Sequence, residues 1–431
     1  MKSVGIAAAV SAALFSCASF AAPGFVDSGP NLSDNGASGA WTALYATRNP
    51  AGSEFAIAPE SSFRLGILSS IGLSMEVGPV DNFSDEIDDL IDQLDRDDIS
   101  LAEGNALVDR FNAILGPLSR DGYVKVQGGV QVPLFPILYR NSLGVFTLDA
   151  NISGQARLGL LDAPLTYNSV SEEIETASAA YVKAGRVNEL ALGFSRPVWQ
   201  QPGRRLIVGG SLRYLQATLS KQVVALESIE DGDEVQDVLK DSYDANERKS
   251  SNVTVDVGAI YDASNYRVGV TFANLTEPDF KYGAIGSNCG ALSGSAQYNC
   301  FTAAYFGNRI ALNETWTLER LATLEGAVFF ASGRGSLAAS VDLNDVHDPV
   351  GDLNQNAKIA LGYKTLSNWL PDFRVGYRKN LAGTELSSAS LGFTFFGAVH
   401  LDVSSSLDST NIDGRSVPRT VAFNLGFEMS Y

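Results

Sequence analysis

The chain of 431 residues carries 49 acidic and 31 basic residues, a formal net charge of −18. Nucleic acid is therefore not a predicted partner, because phosphate binding needs clustered lysine and arginine. Hydrophobic residues make up 45% of the chain and charged residues 19%, which is too apolar for a disordered protein. After the N-terminal segment no run of about 18 apolar residues occurs, so membrane-spanning helices are not predicted. An all-β sandwich or a closed barrel remains.

Residues 1–21 have the features of a cleavable export signal. Lys2 precedes a short apolar stretch, and Ser19-Phe20-Ala21 places small residues at the two positions that a signal peptidase reads. An alternative is lipidation at Cys17, although the bulky Phe15 fits a lipoprotein box poorly. We predict export, and residues 22–60 then form a lead-in that could serve as a plug.

Residues 81–118 predict an acidic α-helical hairpin. A Ser100-x-x-Glu103 capping box begins the second helix, which is expected to end at Gly116-Pro117. The polar faces are acidic rather than basic, which argues against attachment to a membrane surface. A plug, a lid near the lumen or a docking element for a partner is the expected role. The apolar positions of the first helix are Phe83, Ile87, Leu90, Ile91 and Leu94.

From Tyr123 onward the hydrophobic period becomes two. The segment Val145–Leu160 alternates apolar and strongly polar residues over a length that suits a strand crossing lipid beside a wet lumen. This pattern predicts a transmembrane antiparallel β-barrel of about 14 strands, within a range of 12–16, over residues 61–431. Short turns are expected at its periplasmic end and long loops outside. The pattern recurs in Leu206–Leu219, Val253–Tyr261, Tyr266–Phe272, Ala357–Lys364, Phe373–Arg378, Ser388–Phe395 and Val399–Ser406. Earlier in the chain, Phe63–Val77 is predicted to be the first long strand or hairpin.

The polar faces of these strands carry charges of both signs, which predicts ion pairs that fill or narrow the bore. The predicted lumen-lining residues are Asp149, Asn151, Gln155, Arg157, Arg213, Asp256, Arg267, Arg374, Arg378, His400 and Asp402.

The closing strand alternates Val421, Phe423, Leu425, Phe427, Met429 and Tyr431 with Ala422, Asn424, Gly426, Glu428 and Ser430. A terminal aromatic residue after such an alternation resembles the signal read by the outer-membrane insertion machinery. Phe423, Leu425, Phe427, Met429 and Tyr431 are the predicted insertion signal, and the barrel-insertion machinery is a predicted partner.

Cys289 and Cys300 survive signal cleavage and are predicted to form a disulfide in an oxidising compartment. No Cys-x-x-Cys motif occurs, so a thioredoxin-like redox role is not expected. The pair is interpreted as a structural staple of one loop.

The two histidines of the chain, His347 and His400, are candidate metal-binding or catalytic residues. His347 lies among Asp345 and Asp348, but the spacing does not match an EF-hand, so no metal site is predicted. His400, Asp402 and Ser404 share one strand face, as a hydrolase set would. Residues two apart on a strand lie roughly 7 Å apart, beyond direct hydrogen-bond reach. No catalytic residue is therefore predicted.

Several segments resemble the exported conjugal-transfer TraF-like family, which is related in architecture to the long-chain fatty-acid transporter. They are Asn49-Pro50-Ala51, the hairpin 81–118, the segment Asp256–Leu275, the segment Val341–Asp345 and the run Phe373–Ala382. The resemblance covers most of the mature chain. It implies a monomeric barrel of fatty-acid-transporter type.

We predict a non-enzymatic barrel without a cofactor in the outer membrane of a Gram-negative bacterium, in contact with outer-membrane lipid. Its predicted role is to bind or pass a hydrophobic or amphipathic small molecule. The first alternative is a scaffold that docks proteins of a secretion or conjugal-transfer system. The second is a barrel-embedded hydrolase.

Overall fold

The computed structural model describes residues 32–33, 48–94, 96, 99–228, 243, 245–367 and 369–430. Within them fourteen antiparallel strands close a barrel, because the first strand pairs with both the second and the last. The fold class and the strand number predicted from the sequence are confirmed. The strands are β1 Phe63–Val77, β2 in two segments Tyr123–Gln131 and Ile137–Asn141, β3 Gly144–Leu161, β4 Ala179–Gln201, β5 Arg204–Ala225, β6 Arg248–Ala263, β7 Tyr266–Ala273, β8 Leu321–Phe330, β9 Gly335–Asp342, β10 Asn356–Tyr363, β11 Asp372–Asn380, β12 Ser387–Phe395, β13 Val399–Ser406 and β14 Thr420–Ser430.

The two ends of the barrel differ in their connections. At one end the turns are short, as at 142–143, 202–203, 264–265 and 396–398. The opposite end carries the long connections 78–122, 162–178, 226–247, 274–320 and 343–355. This asymmetry is typical of barrels whose short turns face the periplasm and whose long loops face outward. We call the two ends the short-turn end and the long-loop end.

The outer wall of β4, β5 and β6 carries an apolar belt. Its exposed side chains include Leu190, Leu192, Leu212 and Val253. At the short-turn end aromatic rings border this belt, with the centroids of Trp199 and Tyr261 6.4 Å apart. Such aromatic girdles lie at membrane–water interfaces. Toward the long-loop end the wall turns polar, where Asn188 donates to Gln216 at 3.3 Å. The strands β3, β4 and β5 continue beyond that level.

Two helices form the hairpin that the sequence predicts, α2 Phe83–Leu94 and α3 Leu101–Asp121; the short α1 Ser53–Ala56 precedes β1. Ser100 caps α3 by accepting from the amide of Glu103 at 3.4 Å. The predicted end at Gly116-Pro117 is wrong, because α3 continues through Pro117. Proline removes one helical hydrogen bond, but the turn after it buries Leu118 against the barrel and so offsets the loss. Among the described residues no helix is long and apolar enough to cross a membrane.

The hairpin packs on the outside of the barrel. Its side chains Leu90, Phe111 and Leu115 share one apolar cluster with strand residues that include Val126 and Leu158. These strand residues alternate with Lys125 and Arg157, whose side chains bond to the loop residue Asp352 at the mouth of the lumen. The expectation that the hairpin lies near the lumen is therefore wrong. The physical reason is that β2 to β5 extend past the lipid belt and leave an apolar outer wall that the hairpin covers.

Candidate functional site

The chain segment before β1 enters the bore at the short-turn end. Asn49 caps the turn Pro50–Gly52 by accepting from the amide of Ala51 at 3.1 Å. The turn lies against inward-facing glycines of two neighbouring strands. A Cβ on Gly209 would collide with Pro50, and one on Gly258 would collide with Asn49. The wall of β5 and β6 is thus smooth where the segment needs to approach it closely.

Polar contacts fix the same segment to distant strands. The Nδ2 of Asn49 donates to Glu325 Oε1 at 2.7 Å, and the hydroxyls of Ser53 and Ser195 lie 2.6 Å apart. The guanidinium of Arg140 donates to Glu54 Oε2 at 2.8 Å. The described part of the predicted lead-in 22–60 therefore lies inside the bore and obstructs it; the rest of that lead-in and the export signal 1–21 lie outside the described residues.

In mid-bore, ion pairs cross between strands β4, β5 and β6. Arg213 pairs with Glu189 at 2.6 Å and with Asp256 at 3.3 Å. The same guanidinium donates to Asn274 at 2.8 Å. Arg213 is 7% exposed and both acids are buried, so the structure brings the predicted lumen residues Arg213 and Asp256 together and adds Glu189.

A second buried network lies on β11 to β14. Arg374 pairs with Asp402 at 3.2 Å and donates to the hydroxyl of Ser33 at 3.0 Å. The ring of His400 lies between Glu428, at 2.9 Å, and the hydroxyl of Thr394, at 3.0 Å.

Ser404 is separate from this network, because its hydroxyl donates to the carbonyl of Ala389 at 3.2 Å. The hydroxyl beside the ring of His400 belongs to Thr394, which also accepts from Arg374 at 2.5 Å. His400, Asp402 and Ser404, although on one strand, each have different partners.

At the long-loop end the connections 274–320 and 343–355 fold into the mouth. Lys125 pairs with Asp348 at 2.5 Å and with Asp352 at 2.7 Å, and Arg157 pairs with Asp352 at 3.2 Å. All but Arg157 are largely buried. Burial raises the pKa of Asp352, but the cations Lys125 and Arg157 outweigh it, so its pKa lies below the usual range.

Beside these ion pairs, two short antiparallel strands, Asp279–Lys281 and Thr315–Thr317, lie in the mouth. Their rings Phe280 and Trp316, with centroids 5.3 Å apart, pack with inward residues of β4 and β5 that include Leu215. The helix α4, Gly294–Tyr305, follows the first of these two strands. The predicted disulfide Cys289–Cys300 is confirmed and ties α4 to the loop before it.

The barrel wall is irregular at β2. Its two segments are separated by residues 132–136. On the other side of β1, the pairing with β14 shifts register between Gly66 and Ile71. Leu134 has a φ of +75° and remains tied to Ile67 by one hydrogen bond of 3.0 Å. The amide of Val132 donates to Ala150, which pairs with Leu190 of the lipid-facing belt. The interruption therefore lies at the level of the membrane.

The other predicted lumen residues are dispersed. Arg267 pairs with Asp262 at 2.8 Å and lies 3.7 Å from the ring centroid of Phe55. Arg378 stands opposite Lys358 in the β10–β11 register. Asp149 accepts from Gln131 at 2.6 Å. Asn151 and Gln155 are buried on the same face of β3 as Asp149.

Sequence reasoning missed the charged residues Lys125, Glu314, Glu325 and Asp352. Lys125 and Glu325 stand on strands, where period-two alternation could have found them. Glu314 and Asp352 stand in loops, and no local pattern indicates that these loops enter the mouth.

The closing strand β14 shows the predicted alternation, with Val421 and Phe423 exposed and Asn424 and Glu428 buried. Leu425 and Phe427 pair with residues of β13, and Met429 pairs with Leu65 of β1. Tyr431 lies outside the described residues. Whether the five residues act as an insertion signal stays a prediction.

His347 lies 3.3 Å from Glu319, whereas Asp348 turns toward Lys125. His347 and Asp348, two neighbours in this acidic loop, therefore have different partners. No cluster of three or more His, Cys, Asp or Glu side chains with metal-binding geometry occurs in the part of the chain that the structure describes.

The barrel is closed, and its outer wall carries an apolar belt. Segments of its own chain enter the bore at both ends. These features define an outer-membrane β-barrel whose lumen is plugged. The family model described as "F plasmid transfer operon, TraF, protein" matches residues 46–342. The chain belongs to this family, and the resemblance seen in the sequence is confirmed.

Solved structures to which the chain shows similarity include a FadL homologue of Pseudomonas aeruginosa, 11% identical, covering 96% of this chain and 100% of that one, with a TM-score of 0.41. The toluene transporter TodX of Pseudomonas putida is 11% identical over 96% of this chain and 99% of its own, with a TM-score of 0.42. Outer membrane phospholipase A of Escherichia coli is 11% identical over 85% and 93%, with a TM-score of 0.25. Comparison with curated protein sequences gives no match.

Proposed function

We propose that this protein is a monomeric, non-enzymatic barrel of a Gram-negative outer membrane that binds or passes a hydrophobic or amphipathic small molecule. The observation that carries the proposal is the interrupted wall at residues 132–136, at the level of the lipid belt. The bore is obstructed at both ends by buried ion pairs and hydrogen bonds, so a straight aqueous path is disfavoured. We infer that an apolar molecule instead passes between the bore and the lipid at this interruption of the side wall, where the hydrogen bonds that remain are those of Val132, Leu134 and Pro136.

The long-loop end offers an apolar surface for capture. Tyr298, Phe301 and Tyr305 occupy one face of α4 and are 43%, 55% and 61% exposed. Exposed aromatic residues grouped on one surface commonly mark binding sites. The disulfide Cys289–Cys300 ties this helix to the loop that precedes it.

The scaffold alternative has less support. The apolar face of the helical hairpin packs against the barrel wall, so a partner protein would have to dock elsewhere. The family description names a transfer operon, but it does not say which surface of this chain a partner protein would contact.

A reversible disulfide across the interruption tests the proposal. Cysteines replace Ile67 and Leu134, whose backbones are joined by a hydrogen bond of 3.0 Å. In proteoliposomes the oxidised variant should lose most uptake of a fluorescent twelve-carbon probe, and dithiothreitol should restore it. The control carries cysteines at Leu148 and Leu192, which are paired across the regular β3–β4 ladder.

Mass spectrometry of molecules that co-purify with the barrel complements this test. Equal uptake by the oxidised and reduced interruption variants, together with no co-purified apolar molecule in several detergents, would contradict the proposal.

A further inference from the structure

Asp149, Asn151 and Glu189 are neighbouring side chains of the inner wall, and each is at most 5% exposed. Among the described residues, their atoms Asp149 Oδ2, Asn151 Oδ1 and Glu189 Oε1 are buried and have no hydrogen-bond partner; Thr147 and Gln155, on the same face of β3, also carry such atoms. We call Asp149, Asn151 and Glu189 the acceptor cluster. A buried polar atom without a partner is destabilising, so such a group in a folded protein calls for water or a ligand.

The cluster is compact and fixed in place. Asn151 and Glu189 are direct partners in the β3–β4 ladder, and Asp149 lies on the same face of β3. Gln131 holds Asp149 through its Oδ1 at 2.6 Å, and Arg213 holds Glu189 through its Oε2 at 2.6 Å. In each acid the second oxygen is therefore presented by a side chain whose orientation is already set.

The chemistry of the free atoms selects the ligand. All three are oxygens that accept hydrogen bonds, as ionised carboxylates and amide carbonyls do. Among the described residues, the buried carboxylates of Glu189 and Asp256 both pair with the guanidinium of Arg213, and Asp149 adds a third buried carboxylate beside them. A ligand group that completes this site must donate hydrogen bonds and is favoured when it is positively charged. A ligand carboxylate would be repelled by these oxygens, because it is also negatively charged and cannot donate hydrogen bonds.

The cluster lies directly inside the interrupted wall. Gln131, the partner of Asp149, is the last residue of the first β2 segment, and Ala150 accepts from Val132 within the interruption. A molecule whose chain enters the lipid through this gap would place its head group near the acceptor cluster. We propose that the acceptor cluster binds the amine head group of an amphipathic molecule. This proposal rests on the proposed function and specifies the head group of the ligand.

The test compares probes that share one alkyl chain. Dodecylamine, dodecanol and dodecanoate are titrated into the full-length protein in lipid nanodiscs, with binding followed by calorimetry against empty nanodiscs. The amine should bind at least about tenfold more tightly than the carboxylate, since hydrogen bonds to charged groups contribute about 1.5–3 kcal/mol.

Asp149→Asn sharpens the result, because asparagine can still accept from Gln131 while its second atom becomes a donor. This variant should reduce the amine preference by about tenfold. The matched control Asp345→Asn changes an exposed loop acid and should leave the preference unaltered. Asn151→Leu gives a second variant should Asp149→Asn fail to fold, as judged by heat-modifiable mobility on gels.

The possible results separate the two levels of the proposal. Binding of all three probes with equal affinity, or an amine preference that survives both variants, overturns the amine site while the proposed function stands. Either result would mean that water alone donates hydrogen bonds to the oxygens of the acceptor cluster. Failure of all three probes to bind overturns both.

Discussion

The amide of Asn49 donates to the carboxylate of Glu325, from Nδ2 to Oε1 over 2.7 Å, and so joins the N-terminal segment to β8 across 276 residues of chain. Both side chains are buried. A buried carboxylate needs such a donor, and the contact therefore fixes where the segment obstructs the bore. The glycines opposite the segment are the second requirement, and they lead to the first prediction.

Gly209→Val should displace the segment 49–52, because its side chain would collide with Pro50. We expect amide hydrogen exchange at residues 51–53 to accelerate, because the contacts that hold the segment in the bore would be lost. The neighbouring Gly210→Val is the control, since the nearest atom to its Cβ is a backbone oxygen 3.6 Å away. Equal exchange of these residues in the two variants would show that Gly209 does not seat this segment.

Leu90→Ala should loosen the helical hairpin from the outer wall while the barrel stays closed. Leu90 is 1% exposed, and truncation of a buried leucine costs about 2–5 kcal/mol. Limited proteolysis should cut the connection 78–122 faster, with unchanged heat-modifiable mobility of the barrel. Leu101→Ala, at a residue 59% exposed, should behave as wild type. Wild-type resistance in both variants would disprove the packing role of Leu90.

Replacement of Cys289 and Cys300 by serine should open the loop around α4. Loss of loop closure over a separation of 11 residues costs about 3 kcal/mol on the chain-entropy model. Amide hydrogen exchange in 289–305 should accelerate by about 100-fold, because local opening becomes easier by that free energy. Dithiothreitol-treated wild type should match the double variant. The idea fails if exchange in this segment is the same with and without the disulfide.

The mouth should loosen at low pH. The folded-state pKa of Asp352 lies below its ordinary value of 3.8, although burial opposes the shift, because Lys125 and Arg157 stabilise the charged form. A depressed carboxyl pKa adds stability that is present above pH 3.8 and is lost as the pH falls through the folded value.

Hydrogen exchange in 343–355, corrected for intrinsic rates, should therefore rise below about pH 4. Asp352→Asn should show high exchange already at neutral pH and a smaller further rise, whereas Asp345→Asn should follow wild type. An identical pH profile for Asp352→Asn and wild type would rule out this role.

The period-two alternation determined the barrel by itself. In β3 every second residue from Val145 to Arg157 is inward, and the pattern predicted this strand to within one residue at each end. Strand alternation is a local property, since it follows from the geometry of successive Cβ atoms. The family resemblance and the cysteine pair were also readable, because each depends on residues close in the chain.

Tertiary structure alone decided what occupies the bore and what lies outside it. The sequence shows that the hairpin 81–118 has an apolar face. That face packs against the outer wall of the barrel, because strands β2 to β5 extend beyond the lipid belt and present apolar residues there. Asn49, Gly258 and Glu325 meet although long loops separate them, and Asp352 joins Lys125 through a loop with no periodic pattern. The sequence determines which face of a strand is polar, but only closure of the barrel decides which polar groups find partners. Among the described residues, the oxygens of Asp149, Asn151 and Glu189 are some of the buried atoms that closure leaves without one.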